Sequence, residues 1–196
     1  MSRIPLLPAP GADQHVSLAL VNSVVTLPGG HRADELGSPE EATRWLIDHG
    51  LVPDWTTLLT YCQNQLTGLR GHLRSLFAAH VQGETPPRRA LDEVNRALTK
   101  VSSAPVLRHH PEGGLRREQE HPLTRLVEHA MAQVTEDAAT LLTGSRSPYV
   151  ARCDAPPCDR FFLRTHARRH WCSTRCGDRV RAARAYARKQ DRRLPA

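Results

Sequence analysis

Residues 153 to 176 read CDAPPCDRFFLRTHARRHWCSTRC and hold four of the chain's five cysteines, spaced Cys153-x4-Cys158-x13-Cys172-x3-Cys176. Each close pair can grip one ion. The connector between the pairs is long enough to fold back, so that four thiolates can meet tetrahedrally around zinc at ~2.3 Å. Four protein ligands leave no open coordination position for water, so the chemistry expected is structural: one Zn2+ and no hydrolysis. Other readings can be drawn. His166 and His170 have H-x3-H spacing, which permits a Cys153/Cys158/His166/His170 site or a mixed Cys3His site. The gap from Cys158 to His166 is, however, shorter than in the familiar Cys2His2 finger. A metal-free dithiol switch is also open, although the x4 and x3 spacings differ from the x2 of disulfide exchangers.

Local sequence indicates how these ligands are held. Pro156 and Pro157 stiffen the first turn, and RFFLR (160–164) is β-prone enough to form one arm of a hairpin. Ser173 reads as a helix N-cap, which places Cys176 at N3, where the positive helix end favours a thiolate. From Ser173 to about Arg193 the chain lacks proline and is rich in Ala and Arg, predicting a helix. At roughly 100° per residue, Cys176, Val180, Ala183 and Ala187 share one sector of about 60°, the strip expected against the metal core. Basic groups fill the rest. Arg168, Arg169, Arg179, Arg181, Arg184, Arg188 and Lys189 are the candidate nucleic-acid contacts, with Arg192 and Arg193 beyond them. Such a helix fits a major groove ~12 Å wide, and arginine can both grip phosphate and read guanine bidentately. Trp171, Phe161 and Phe162 could stack on bases, but in so small a unit their expected role is its core.

The charge distribution agrees. Residues 1–145 carry 13 Arg/Lys against 16 Asp/Glu, whereas residues 146–196 carry 14 against 4. A mildly acidic body on a strongly basic tail is the asymmetry of a protein that brings one end to a polyanion. No apolar run approaches the ~20 residues of a membrane helix, and the three-proline start MSRIPLLPAPGADQ reads as a loose lead-in without the apolar core of a signal peptide. The expectation is a cytoplasmic protein, a reducing setting in which clustered cysteines favour metal over disulfides.

The body is predicted to be mostly helical. SPEEATRWLIDHG supplies Ser38 as N-cap, Pro39 at N1, Glu41 at N3 and Gly50 past the end. Apolar residues from Trp55 to Phe77, at steps of three and four, predict one long amphipathic helix over 55–80. Leu91, Val94, Leu98 and Val101 mark a third helix, Leu123 to Leu142 a fourth, and VLRHHPEGGLRRE (106–118) a hairpin between them. The run 15–27 fits strand or helix equally. His109, His110, His121 and His129 lack ligand spacing and read as solvated or capping residues, and Cys62 as a small core hydrophobe. No nucleophile–base set or glycine-rich phosphate loop appears, so catalysis is not expected.

WCSTRCGDRVRAARAYAR resembles the CGNR zinc finger, and LALVNS (18–23), WLIDHGL (45–51), LRSLFAA (73–79) and LDEVNRAL (91–98) resemble, in order, segments of the ABATE-type domain that accompanies it in bacteria. The resemblance implies a stress-induced transcription regulator. Its fold would be mainly α: a helical N-terminal domain (1–145), then a small treble-clef-like finger (146–196) ending in a basic helix. It also places the family's four zinc ligands on Cys153, Cys158, Cys172 and Cys176. The expected partner is double-stranded DNA, with a small-molecule effector in the N-terminal domain and a homodimer both compatible with this layout, and no membrane. The alternative is an RNA-binding or protein-interaction adaptor whose finger is only a scaffold. Asp178 stands where the family has its eponymous Asn, and Arg164 and His166 replace the usual Asp and Ser after the phenylalanines. An Asp can cap backbone N–H groups as an Asn does, but it would repel a phosphate.

Overall fold

The computed structural model describes residues 7–101, 106–118 and 125–191. Among these the chain is mainly α-helical. The ambiguous run near the start divides in two: α1 (Val16–Asn22) is followed by β1 (Val24–Thr26), which pairs antiparallel with β2 (Arg32–Asp34). Between the strands, Gly29 and Gly30 take φ of 85° and 78°, a left-handed backbone that a Cβ disfavours. The Pro28-Gly29-Gly30 run is therefore the sequence signal for this hairpin.

α2 (Pro39–Asp48) forms as predicted, with the Glu41 N–H donating to Ser38 Oγ at 3.2 Å and Trp45 and Leu46 buried. α3 (Thr60–Gln82) begins later than the expected Trp55. Trp55 and Leu59 are 63% and 72% exposed, whereas Leu51, Val52 and Leu58 are buried in a non-helical link whose Leu58 N–H donates to Thr43 Oγ1 at 3.0 Å. The three-and-four rhythm runs on through this link, but its anchors are buried from a non-helical backbone of bends and a turn. α4 (Arg88–Thr99) packs on α3, turning Ala90, Val94 and Ala97 inward and leaving Leu91 exposed. The hairpin of β3 (Val106–His110) and β4 (Gly114–Glu118) forms as expected. α5 (Leu126–Thr143) buries Val127, Ala130, Val134, Ala138 and Leu141. His129 is buried on α5 rather than solvated, while Leu123 and His121 lie outside the described residues.

α3 is the axis of the body. Its buried face, Leu66, Leu69, Leu73 and Phe77, meets α1, α2, α4 and α5 in one core, with half-buried Cys62 packed at its edge. The β1–β2 hairpin is tied to this axis by charge. Arg70, only 6% exposed, donates from Nη1 and Nη2 to the two Asp34 carboxylate oxygens at 2.6 and 2.8 Å, and to Ser23 Oγ at 3.0 Å. Burial pushes the Asp34 carboxyl up, but hydrogen bonds from Arg70 and the Leu36 N–H outweigh it and hold the group below its ordinary value of 3.8. A depressed carboxylate pKa contributes stability above the unfolded value, and this is lost as the pH falls through the folded value. Asp34→Asn is therefore expected to flatten the loss of stability below about pH 4, measured by denaturant titration across acid pH.

After α5 a short 3-10 turn leads into β5 (Val150–Arg152), which pairs antiparallel with β6 (Phe161–Leu163). β6 faces two cores at once. Its alternation sends Phe161 and Leu163 into the body and Phe162 into a second, smaller cluster with Ala9, Ala151, Ala155 and three of the cysteines. Phe161 also packs on Phe77 of α3, ring centroids 5.6 Å apart.

The N-terminal lead-in, described from residue 7, is not loose. The Leu163 N–H donates to Pro10 O at 2.8 Å, Arg160 donates to Leu7 O at 2.8 Å, and Ala9 is 3% exposed. Gly11, at φ 89°, lies so close to Leu163 that a Cβ there would sit 2.7 Å from its Cδ1. The segment is a strap along β6, and only glycine fits at the tightest point.

A cysteine centre that seats a basic helix

The first cysteine pair is set by the turn between β5 and β6. Cys153 follows β5, its N–H donating to Arg160 O at 2.9 Å, and the Cys158 N–H donates to Ala155 O at 2.9 Å to close the knuckle. The second pair is set by the start of α6 (Thr174–Asp191). Ser173 caps this helix as predicted: its Oγ accepts from the Cys176 N–H at 3.2 Å. The Asp154 N–H donates to His170 O at 3.1 Å, and the Cys172 N–H points at Cys153 Sγ at 3.4 Å, joining the two halves.

All four sulfurs lie within 4.8 Å of one another. Zinc bound tetrahedrally at ~2.3 Å would space its sulfurs by roughly 3.8 Å. The Cys158–Cys172 and Cys172–Cys176 pairs are both 3.7 Å apart. Hydrogen bonds from Cys158 and then Cys172 hold the Cys153 thiol far below its ordinary range, while contact with Cys153 pushes both Cys158 and Cys172 up. Four thiolates so crowded need a cation among them, so donor type, number and spacing all fit one structural zinc. The ion would clamp the knuckle to the helix start. Cys153, Cys172 and Cys176 are 5, 5 and 6% exposed, which closes the centre to substrate. The His alternatives do not form: among the described residues the metal-capable group is the four cysteines, His166 is exposed, and His170 is exposed with Nδ1 3.2 Å from Asp154.

Phe162 is fully buried against this centre, and half-buried Trp171 lies over Gly177 of α6, where an added Cβ would sit 2.9 Å from the indole. The aromatic residues are core, as expected. Val180 packs against the centre too, but Ala183 and Ala187, predicted to continue the strip, are exposed. The finger is shorter than the helix. Residues 181–190 are exposed throughout, so about 15 Å of α6 stands clear of the protein.

The predicted basic contacts divide into two groups. Arg179 donates to Pro156 O and Ala155 O at 3.0 and 2.7 Å, and Arg169 donates to Trp171 O and Cys172 O at 3.0 and 3.1 Å while lying over Phe162. Arg179 braces the knuckle, and Arg169 braces the segment that leads into α6. Arg168, Arg184, Arg188 and Lys189 are exposed. Arg181 stands between the groups, donating to Asp178 at 2.6 Å with its guanidinium 5.5 Å from the Trp171 ring centroid. Asp178 is thus engaged with an arginine on its own helix. Arg192 and Arg193 lie outside the described residues.

Several functional side chains were not apparent from the sequence. Asn22 Nδ2 donates to Phe161 O at 2.7 Å, and its Oδ1 accepts from the Phe161 N–H at 2.9 Å, both buried. Arg74 on α3 donates to Asp159 Oδ2 at 2.7 Å, and Asp159 accepts from the Thr26 N–H at 3.2 Å. These contacts fasten the cysteine hairpin to the body. Their signals are single polar residues in apolar stretches, whose partners lie far away in the chain.

A cysteine knuckle, a hairpin and a helix that supplies the second ligand pair define a zinc finger of the treble-clef kind mounted on a helical body. The family comparisons agree with both parts. A family model described as "Putative stress-induced transcription regulator", ABATE, matches residues 14–145, and the CGNR zinc finger model matches residues 150–189. The chain belongs to the ABATE family and carries a CGNR zinc finger. No curated protein matches the chain. Among the described residues no helix is long and apolar enough to cross a membrane.

Proposed function

We propose that the protein is a transcription regulator that binds double-stranded DNA through α6, with residues 1–145 as the input body and 146–196 as the DNA-binding finger. The observation that carries this reading is the exposed outer half of α6, which presents Arg181, Arg184, Arg188 and Lys189 from a base fixed by the cysteine centre. A single helix of this width enters a major groove, and phosphate neutralisation by several arginines supplies the affinity. Arg169 and Arg179 act as positioning residues, because their donors are engaged with backbone carbonyls at the entry to α6 and in the knuckle. Arg168, Arg184, Arg188 and Lys189 take the phosphate-gripping role, and Arg181, fixed by Asp178 and Trp171, faces the groove preorganised. The closed cysteine centre is structural, and the reading includes no catalytic step.

Arg184→Ala with Arg188→Ala is expected to reduce affinity for duplex DNA by at least tenfold and to lower the log-log salt slope by about 2, with zinc content unchanged. Fluorescence anisotropy over a salt series, with metal analysis of the same samples, measures both. Parallel loss of zinc would mean that these arginines belong to the core. Tighter binding to single-stranded RNA of equal charge than to the duplex would overturn the reading in favour of an RNA adaptor.

A further inference from the structure

A cavity of about 580 Å3 lies where the strap, the body and the cysteine hairpin meet. Its walls include Asp13 of the strap, Ala19 and Asn22 of α1, Trp45 and Asp48 of α2, and Arg160 of the hairpin. This volume is in the range of small-molecule sites, typically about 300–1,000 Å3. The lining is chemically one-sided. Asp13, Glu35, Asp48 and Asp137 face it with Arg160 as the one Arg or Lys in the lining, in a region of the chain far from the basic helix in character. One wall is aromatic: the Trp45 and His49 rings stack with centroids 4.1 Å apart. In that wall Trp45 is 5% exposed, and its buried indole N–H has no hydrogen-bond partner in the structure.

We propose that this cavity binds a small organic cation with an apolar or aromatic body, its charge held by Asp48 and Asp13 and its apolar part against Trp45 and Ala19. The carboxylates favour an ammonium group over an anion, and the aromatic wall favours an apolar body beside that charge. Asp137 is occupied structurally: it accepts from the Ser17 N–H at 2.8 Å, and its other oxygen is 2.8 Å from His15 Nδ1. Asp48 and Asp13 are exposed and carry the charge recognition. The site touches the finger's mount directly, because Asn22 holds both backbone groups of Phe161 and Arg160 holds Leu7 O. That occupancy would tune DNA binding rests on the function proposed above; occupancy itself does not.

The test titrates the full-length zinc-loaded chain, without DNA, with benzyltrimethylammonium, and in parallel with benzyl alcohol and benzoate as neutral and anionic counterparts. Calorimetry and backbone-amide NMR read the binding. The expected result is saturable binding of the cation at millimolar concentration or below, with shifts of the Asn22 and Phe161 resonances and weaker or no binding of the other two. Asp48→Asn, at an exposed helix end, is expected to weaken the cation about tenfold, roughly the effect of one lost charge contact in a partly solvated site. Ala19→Trp, which fills the cavity, is expected to abolish binding. Equal binding of benzoate, no saturable binding of the cation, or binding indifferent to both substitutions would each overturn the proposal. Since no DNA is present, a failure of the DNA-binding reading leaves this result intact, and the converse also holds.

Discussion

Cys172→Ser is expected to release the zinc ion and unfold the finger, with loss of most of the α6 helicity. The centre's core is tiny: beyond the cysteines it consists of Ala9, Ala151, Ala155 and Phe162, with Trp171 and Val180 at its edge. So few apolar groups cannot offset the ordering of the segment, whereas a structural zinc contributes an apparent ~10–16 kcal/mol in comparable small modules. Beyond the finger α6 has no packed support, since residues 181–190 are exposed, and an isolated helix of that ten-residue length is marginal in water. Metal analysis and far-ultraviolet circular dichroism of the purified variant measure the two losses. Cys62→Ser is the control and keeps its zinc, because Cys62 packs at the edge of the body's core. A Cys172→Ser protein that retained one zinc per chain with an ordered α6 would show that another residue completes the site.

Asn22→Leu is the second large effect, and it acts through the seam rather than the metal. The Asn22 side chain satisfies the N–H and the C=O of Phe161, both buried, and leucine of similar size can satisfy neither. Each orphaned buried group costs about 1–3 kcal/mol, so the expected loss for the two is about 2–6 kcal/mol. Chemical denaturation of the zinc-loaded protein measures it, and zinc content at low denaturant is expected to stay at one per chain. A loss within the ~0.5 kcal/mol of ordinary surface changes would mean that the hairpin does not depend on this clasp.

The elements that were legible in advance share one property, that their signals are local. The cap of α2, the apolar faces of α3 and α5, the turn of the β3–β4 hairpin and the Ser173 cap with Cys176 at N3 are all set by residues within a few positions of one another. The cysteine spacing worked for the same reason, since ligand pairs on a knuckle and on a helix turn are short-range features. The start of α3 misled because a buried non-helical link, Leu51 to Leu58, continues the helical rhythm. The inward strip of α6 was overextended because periodicity gives the direction of a face but not how far its partner reaches, and the finger ends at Val180. What the sequence left hidden is the mounting. Asn22 with Phe161, Arg74 with Asp159 and Gly11 with Leu163 join positions far apart in the chain, and nothing local to either partner announces the other. The same limit applies to Arg169 and Arg179, which resemble the contact arginines by charge yet are tied to backbone carbonyls of the finger itself.

This mounting joins the two parts through shared packing. Phe161 and Leu163 belong to the body's core while Phe162, between them, belongs to the cysteine centre, so one strand is shared by both cores. The finger is anchored by packing, by the Asn22 clasp and by the strap, rather than trailing on a linker.

X-ray absorption at the zinc edge of the purified full-length chain tests the central claim most directly. The account predicts one zinc per chain with four sulfur ligands at ~2.3 Å and no lighter atom in the first shell. A shell containing nitrogen or oxygen, or a metal-free protein whose 153–176 segment is still ordered, would contradict it.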